Sequence, residues 1–199
     1  VELGTVLASS WSAGISVYAV IAVLGLAGRF GWIETSEFLQ QPWLIAVALA
    51  LAVVDLVVDK IAWLDSGWDA VHTVIRPAVG AAIGWLAPNQ MVGPDIPDPL
   101  VLALTGGGLA FSAHAAKASI RAVVNTSPEP ASNVVVSLLE DGLVAGLLAL
   151  AFTYPLIAGG VTLVLFVISV AVSIGLYRVA RRTWRRLRRG RAGSPGPAP

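Results

Sequence analysis

The residues able to do chemistry in this chain fall on four short stretches, and within each the spacing is helical. Asp55 and Asp59 are four apart, with Lys60 beside them. Asp65, Asp69, His72 and Arg76 recur at 0, +4, +7 and +11, which is one face of one helix. His114, Lys117, Arg121 and Asn125 recur at 0, +3, +7 and +11, again one face. Asn133, Ser137, Glu140 and Asp141 recur at 0, +4, +7 and +8. Scattered charges would not sort themselves this way. Six carboxylates face four bases in these stripes, an acidic balance that suits a cation or a proton that comes and goes. Asp55, Asp59, Lys60, Asp65, Asp69, His72, Arg76, His114, Lys117, Arg121, Ser137, Glu140 and Asp141 are therefore the candidate ion or substrate pathway.

The side-chain types narrow the chemistry further. Asp65, Asp69 and His72 are of metal-ligand type, carboxylates suiting hard ions and imidazole suiting zinc or iron, yet three residues on one helix face are not a complete site. His72 and His114 are candidate proton carriers near neutral pH, although a lone interior histidine is more often simply hydrogen-bonded. Lys117 and Arg121 read either as positive anchors near a membrane face or as inward-facing counter-charges. Glu140 and Asp141 lie within an apolar run and are the hardest to place on a surface. No GxSxG, HExxH or Walker loop is present, no catalytic residues are assigned, and no enzyme activity or cofactor beyond a bound cation is expected.

The elements that must position these stripes are hydrophobic. Of 199 residues, 56% are hydrophobic and only 13% charged, about half the charge of an ordinary soluble domain. The apolar residues come in six runs: Val6–Phe30, Pro42–Val58, Trp68–Leu86, Leu100–Val124, Val134–Leu156 and Ala158–Tyr177. Each is near the ~20 residues that cross a bilayer as a helix, and lipid leaves the backbone no other way to satisfy itself than helices or closed barrels. The fold class read from this is all-α, a polytopic membrane bundle of about six helices. A charge at the bilayer centre costs ~2.5–3.5 kcal/mol, so the stripes must face one another or a water-filled vestibule. Gly106, Gly107 and Gly108 read as a site of close helix packing. Ser9, Ser10, Trp11 and Ser12 read as a cap with an interfacial Trp; Trp32, Trp43, Trp63, Trp68 and Trp85 read as an aromatic belt.

The formal net charge of +1 hides two parts. Residues 1–177, the transmembrane domain, carry five bases and twelve acids. Residues 178–199, a basic tail ending in a Gly/Pro segment, carry eight Arg and no acid. By the positive-inside rule the tail is cytoplasmic, and six crossings would put the N-terminus on the same side. Arg181, Arg182, Arg185, Arg186, Arg188 and Arg189 are the candidate anionic-lipid contacts. A polybasic stretch beside a span is better explained by lipid than by nucleic acid, and no nucleic-acid partner is expected. Segment 14–22 can be laid on 108–116, with Gly and two Ala coinciding, which admits a 3+3 inverted repeat of the kind secondary transporters use. Absence of cysteine excludes disulfides, thiolate metal sites and a Cys nucleophile.

Taken as a set, Asp59-Lys60, Asp65, Asp69, His72, Arg76-Pro77, His114, Lys117, Arg121, Ser137 and Glu140-Asp141 resemble the membrane family DUF4126 over roughly residues 5–160. The resemblance implies a multi-pass protein of the bacterial inner membrane and implies no activity. The leading functional expectation is a small ion- or proton-coupled permease, with a homo-oligomer as the expected assembly. The alternatives are a non-transporting scaffold or lipid-binding protein with a structural charge network, and an intramembrane enzyme acting on a lipid headgroup.

Overall fold

The computed structural model describes residues 2–91, 96–125 and 130–192. They form α1 (Leu3–Ala13), α2 (Val17–Arg29), α3 (Pro42–Val58), α4 (Ala62–Leu86), a 3-10 turn (Ala87–Gln90), α5 (Pro99–Val124), α6 (Pro130–Thr153) and α7 (Pro155–Ala192). Four helices open on proline, where the missing N–H would have no partner in any case. At α5 the Asp98 carboxylate also accepts from the Leu100 and Val101 amides, at 2.7 and 3.4 Å, capping the first turn.

Four stretches, Leu64–Asn89, Pro99–Val124, Ala131–Thr153 and Pro155–Thr183, are long and apolar enough to cross a membrane. α3 follows with 17 residues, about 26 Å at 1.5 Å per residue. Their outward faces carry Val47, Leu49, Val53, Leu139, Leu163, Val164 and Val167, all exposed, as lipid-facing surfaces should be. The chain is a multi-pass helical membrane protein.

The first apolar run does not behave as one crossing. It breaks at Gly14–Ser16 into α1 and α2, about 16 and 20 Å long, each short of the ~30 Å hydrocarbon thickness. Contacts fix their directions. Along α1, a Cβ on Gly4 would run into the Pro155 carbonyl, Ser10 reaches Gly80, and Gly14 abuts Ala110. α1 therefore starts beside the start of α7 and runs antiparallel to α4. Along α2, Tyr18 meets His72, while Ile21 and Leu24 share a cavity with Val79 and Ile83, so α2 runs parallel to α4. Two helices of opposite sense joined by a short break make a re-entrant hairpin. Irregular backbone at this depth is tolerated because protein surrounds it.

This hairpin bears on two expectations. α1 begins next to Pro155, at the opposite end of the bundle from the arginine-bearing end of α7, so Leu3 and the arginines described on α7 lie at opposite ends. We call these the hairpin end and the arginine end. The two segments laid on each other as a repeat also differ: residues 14–22 span the break, whereas 108–116 lie inside continuous α5. With a hairpin in place of the first crossing, three matched crossings per half do not arise.

The apolar core collects around the hairpin: Ala8, Trp11, Ala13, Val17, Val20 and Leu24 pack with Leu109 and Ala113 of α5 and Val144, Leu147 and Leu148 of α6. Trp11 is thus an interior residue, 3% exposed, with its indole N–H donated to Ser169 Oγ at 3.3 Å, and not an interfacial one. Trp32, Trp43 and Trp85 are exposed, in keeping with a belt; the Trp63 side chain lies outside the described residues. α4 and α5 close on each other through glycine. A Cβ on Gly80 would come within 2.6 Å of the Gly106 carbonyl, and one on Gly107 within 3.3 Å of Ala81. Gly106 and Gly107 therefore serve close packing, while Gly108 faces open space.

Candidate functional site

The four stripes turn inward and meet. α3, α4, α5 and α6 each lay an apolar side toward lipid, so their polar sides have only each other and the hairpin to face. Two linked clusters result, and the hairpin break sits against both.

The first cluster centres on Arg76 of α4, which is fully buried. Its Nη1 donates to Asp69 Oδ1 at 3.0 Å, two turns back on the same helix, and its Nη2 lies 3.4 Å from Asp55 Oδ1 of α3. Nη1 also points at His114 Nδ1 of α5, at 3.1 Å. A guanidinium can only donate, so His114 Nδ1 accepts and the ring proton resides on Nε2, directed at Thr73 Oγ1 at 3.1 Å. Thr73 Oγ1 in turn donates to the Asp69 carbonyl at 3.0 Å. His114 is accordingly a fully bonded, neutral interior histidine. His72 is held differently: its Nδ1 lies 2.8 Å from the Trp68 carbonyl and must donate, leaving Nε2 to accept from Tyr18 Oη at 3.0 Å. Trp68 stacks on the His72 ring at 4.7 Å, and its indole N–H donates to Asp55 Oδ1 at 2.6 Å. Trp68 belongs to the site, not to an aromatic belt. Ser16, at the hairpin break, donates to Asp55 Oδ2 at 3.3 Å.

The second cluster joins α3, α5, α6 and the hairpin. Lys117 Nζ lies 2.6 Å from Asp59 Oδ2, 3.7 Å from Glu140 Oε2 and 3.2 Å from the Ile15 carbonyl. Arg121 donates from Nη2 to Glu140 Oε2 at 2.6 Å and from Nε to Glu140 Oε1 at 3.3 Å, a two-pronged grip. The same side chain reaches the Asp59 carbonyl at 2.6 Å and Asn133 Oδ1 at 2.7 Å through Nη1. Lys117 and Arg121 are both at most 2% exposed, so neither is a snorkelling anchor. Two cations and two carboxylates balance here. An ion pair at this depth survives only when such extra hydrogen bonds accompany it.

The remaining sequence-predicted residues sit at the margins. Asp65 is buried and accepts from the Asn125 amide at 2.9 Å, with no Lys or Arg within ion-pair distance among the described residues. Lys60 donates to the Leu56 carbonyl at 2.8 Å and lies 3.4 Å from the buried Ser137 Oγ. Asp141 is half-buried and forms no ion pair among the described residues. Asp65, Asp69 and His72 go to three different partners, and no group of three His, Asp or Glu side chains among the described residues stands together as a metal set. Arg181, Arg182 and Arg185 are exposed; the side chains of Arg186, Arg188 and Arg189 lie outside the described ones.

Tyr18, Ser16, Trp68, Thr73 and the Ile15 carbonyl complete the site and were not among the sequence candidates. All but Trp68 and Thr73 come from the hairpin, which reads in the sequence as an ordinary span. Two cavities lie elsewhere. One, about 200 Å³, is apolar and bounded by Val6, Ile21, Leu24, Val79 and Ile83 at the hairpin end; the other is a shallow hollow beside Trp32, Gln40 and Asn89. Neither is lined by a member of the charged stripes. The stripes converge, and they close on one another as ion pairs.

No curated protein and no solved structure matches this chain. The model of the family described as "Domain of unknown function (DUF4126)" matches residues 3–174, nearly the whole membrane portion and both buried clusters, and the chain belongs to that family.

Proposed function

We propose that this protein is a small ion- or proton-coupled permease of the bacterial inner membrane, with its pathway along the buried charges of α3 to α6. One observation carries the reading: the re-entrant hairpin breaks beside those charges and offers them a backbone carbonyl outside helical pairing and a serine hydroxyl. A bilayer protein gains nothing in spanning power from a helix that turns back halfway. Discontinuous helices recur where transporters bind substrate and coupling ion, because an unwound segment supplies backbone ligands inside the membrane. Buried ionisable groups at membrane depth are costly and mark ion or proton routes.

In this reading the ion pairs are a shut gate. Lys117 and Arg121 tie α5 to α3 and α6, and Arg76 ties α4 to α3 and α5. Passage requires those pairs to exchange partners. The test is proteoliposome flux of protons, Na⁺ and K⁺ followed with ion-selective dyes, comparing wild type with Asp59→Asn and Glu140→Gln. Loss of flux in both supports the pathway, with Asp141→Asn as the milder control. Undiminished flux in both variants refutes it.

The pairing of Arg76, Lys117 and Arg121 with carboxylates of neighbouring helices favours a second reading, a non-transporting membrane protein stapled together by charge. It predicts no flux from wild type and a loss of stability, with no other phenotype, in the same variants. At the arginine end, exposed Arg178, Arg181, Arg182 and Arg185 on α7 support contact with an anionic cytoplasmic leaflet, at about 1 kcal/mol per basic residue.

A further inference from the structure

We infer that the Ile15 carbonyl, the Asp59 carboxylate and the Glu140 carboxylate form a binding site for one monovalent cation, and that the ammonium of Lys117 fills it as a built-in occupant. The ligands converge on Lys117 Nζ from three elements: the hairpin break at 3.2 Å, the end of α3 at 2.6 Å and α6 at 3.7 Å. All are oxygen, the ligand type of hard cations. The Ile15 carbonyl is available because the break frees it from helical pairing; among the described residues Lys117 is its donor.

The charge fits one ion. Asp59 and Glu140 bring two negative charges, and Arg121, bonded to both, brings one positive. One negative charge is left, matched by Lys117. Take the Lys117 charge away and a single positive charge is wanted in a buried, oxygen-lined place. The site is also held ready. Arg121 grips Glu140 with two nitrogens and fixes the Asp59 carbonyl, so the ligands keep their positions without the lysine. A second, independent feature points to spare capacity: Asp59 Oδ1 is buried with no hydrogen-bond partner among the described residues, so part of the carboxylate's accepting capacity is unspent. A lysine ammonium is a compact point charge, the side chain closest in kind to an alkali ion. This property goes beyond the permease reading and does not rest on it; a protein that moves nothing would still have the site.

The experiment uses the full chain in detergent micelles. The unfolding midpoint of wild type and Lys117→Ala is measured in NaCl, KCl and choline chloride at equal ionic strength, which holds screening constant. The variant should gain a saturable rise in midpoint with Na⁺ or K⁺ over choline, as binding to the folded state requires. Wild type should show none, and adding Asp59→Asn to the variant should remove the gain. A folded Lys117→Ala protein indifferent to all three salts overturns the inference, as does an equal response from wild type. Should Lys117→Ala fail to fold in choline, recovery of folded yield in Na⁺ or K⁺ supports the site, and failure in every salt overturns it.

Discussion

Replacing Asp59 by asparagine removes one charge from a cluster in which both cations, Lys117 and Arg121, are buried. Asp59 Oδ2 accepts from Lys117 at 2.6 Å and Arg121 at 3.4 Å, and the side chain is 4% exposed. The amide keeps the volume and loses the charge. Two cations then share Glu140, which Arg121 already holds at 2.6 Å while Lys117 stands 3.7 Å away. Breaking a buried pair by removing one partner costs about 3–5 kcal/mol, mostly for the stranded charge. Lys117 is that stranded charge, so Asp59→Asn should destabilise by about this much. Changing Lys117 to Met as well removes the stranded ammonium and restores balance between Arg121 and Glu140. The double variant should recover most of the loss, giving a coupling on the order of 2–3 kcal/mol in a double-mutant cycle. The assay is reversible unfolding in mixed micelles. Additive effects, or an Asp59→Asn protein within about 0.5 kcal/mol of wild type, the range of an ordinary surface change, would show that the Lys117–Asp59 pair carries no weight and refute the reasoning.

Other outcomes follow from the same geometry. Gly14→Leu should cost about 1–3 kcal/mol by overpacking, since even a Cβ there overlaps the Ala110 carbonyl, whereas Gly108→Ala, facing open space, should be neutral or mildly stabilising; equal effects in an unfolding assay would contradict the packing described. Because the chain has no cysteine, single-cysteine labelling reads topology cleanly. Leu3→Cys and Tyr154→Cys should react with an impermeant maleimide from one side of the membrane and Arg181→Cys from the other; labelling of Leu3→Cys and Arg181→Cys from the same side would rule out the hairpin. Changing Arg178, Arg181, Arg182 and Arg185 to Gln should leave a fraction of chains inverted in that assay, and uniform orientation would show that these arginines do not set topology.

The helical faces were legible before any coordinates. Arg76 two turns from Asp69, and His114, Lys117 and Arg121 on one side of α5, follow from spacing alone, because a membrane helix cannot leave charge on its lipid side. Which face meets which was not legible. The Lys117–Asp59 and Arg121–Glu140 pairs depend on how α3 and α6 are placed beside α5, a matter of packing between segments. Trp68 was misread because its position near a helix end resembles a belt residue, although Asp65 and His72, three before and four after it, put it on the charged face. The hairpin was hidden most thoroughly. Val6–Phe30 has the length and apolarity of a crossing, and Gly14, Ser16 and the small polar residues at 9, 10 and 12 were the available signs of a break. A half-length helix is stable in a membrane only when its ends are met by protein, and that protein lies later in the chain.

That last point bears on how the molecule is made. α1 and α2 emerge from the ribosome before α4 to α7, yet α1 packs against all four of those helices. A nascent hairpin that cannot reach across the bilayer has no resting place until those helices have been inserted. The hairpin, though made before those helices, must therefore settle after them, and the two ion-pair clusters, which lean on Ile15 and Ser16, reach their final form only when it arrives. Assembly and completion of the site become the same event.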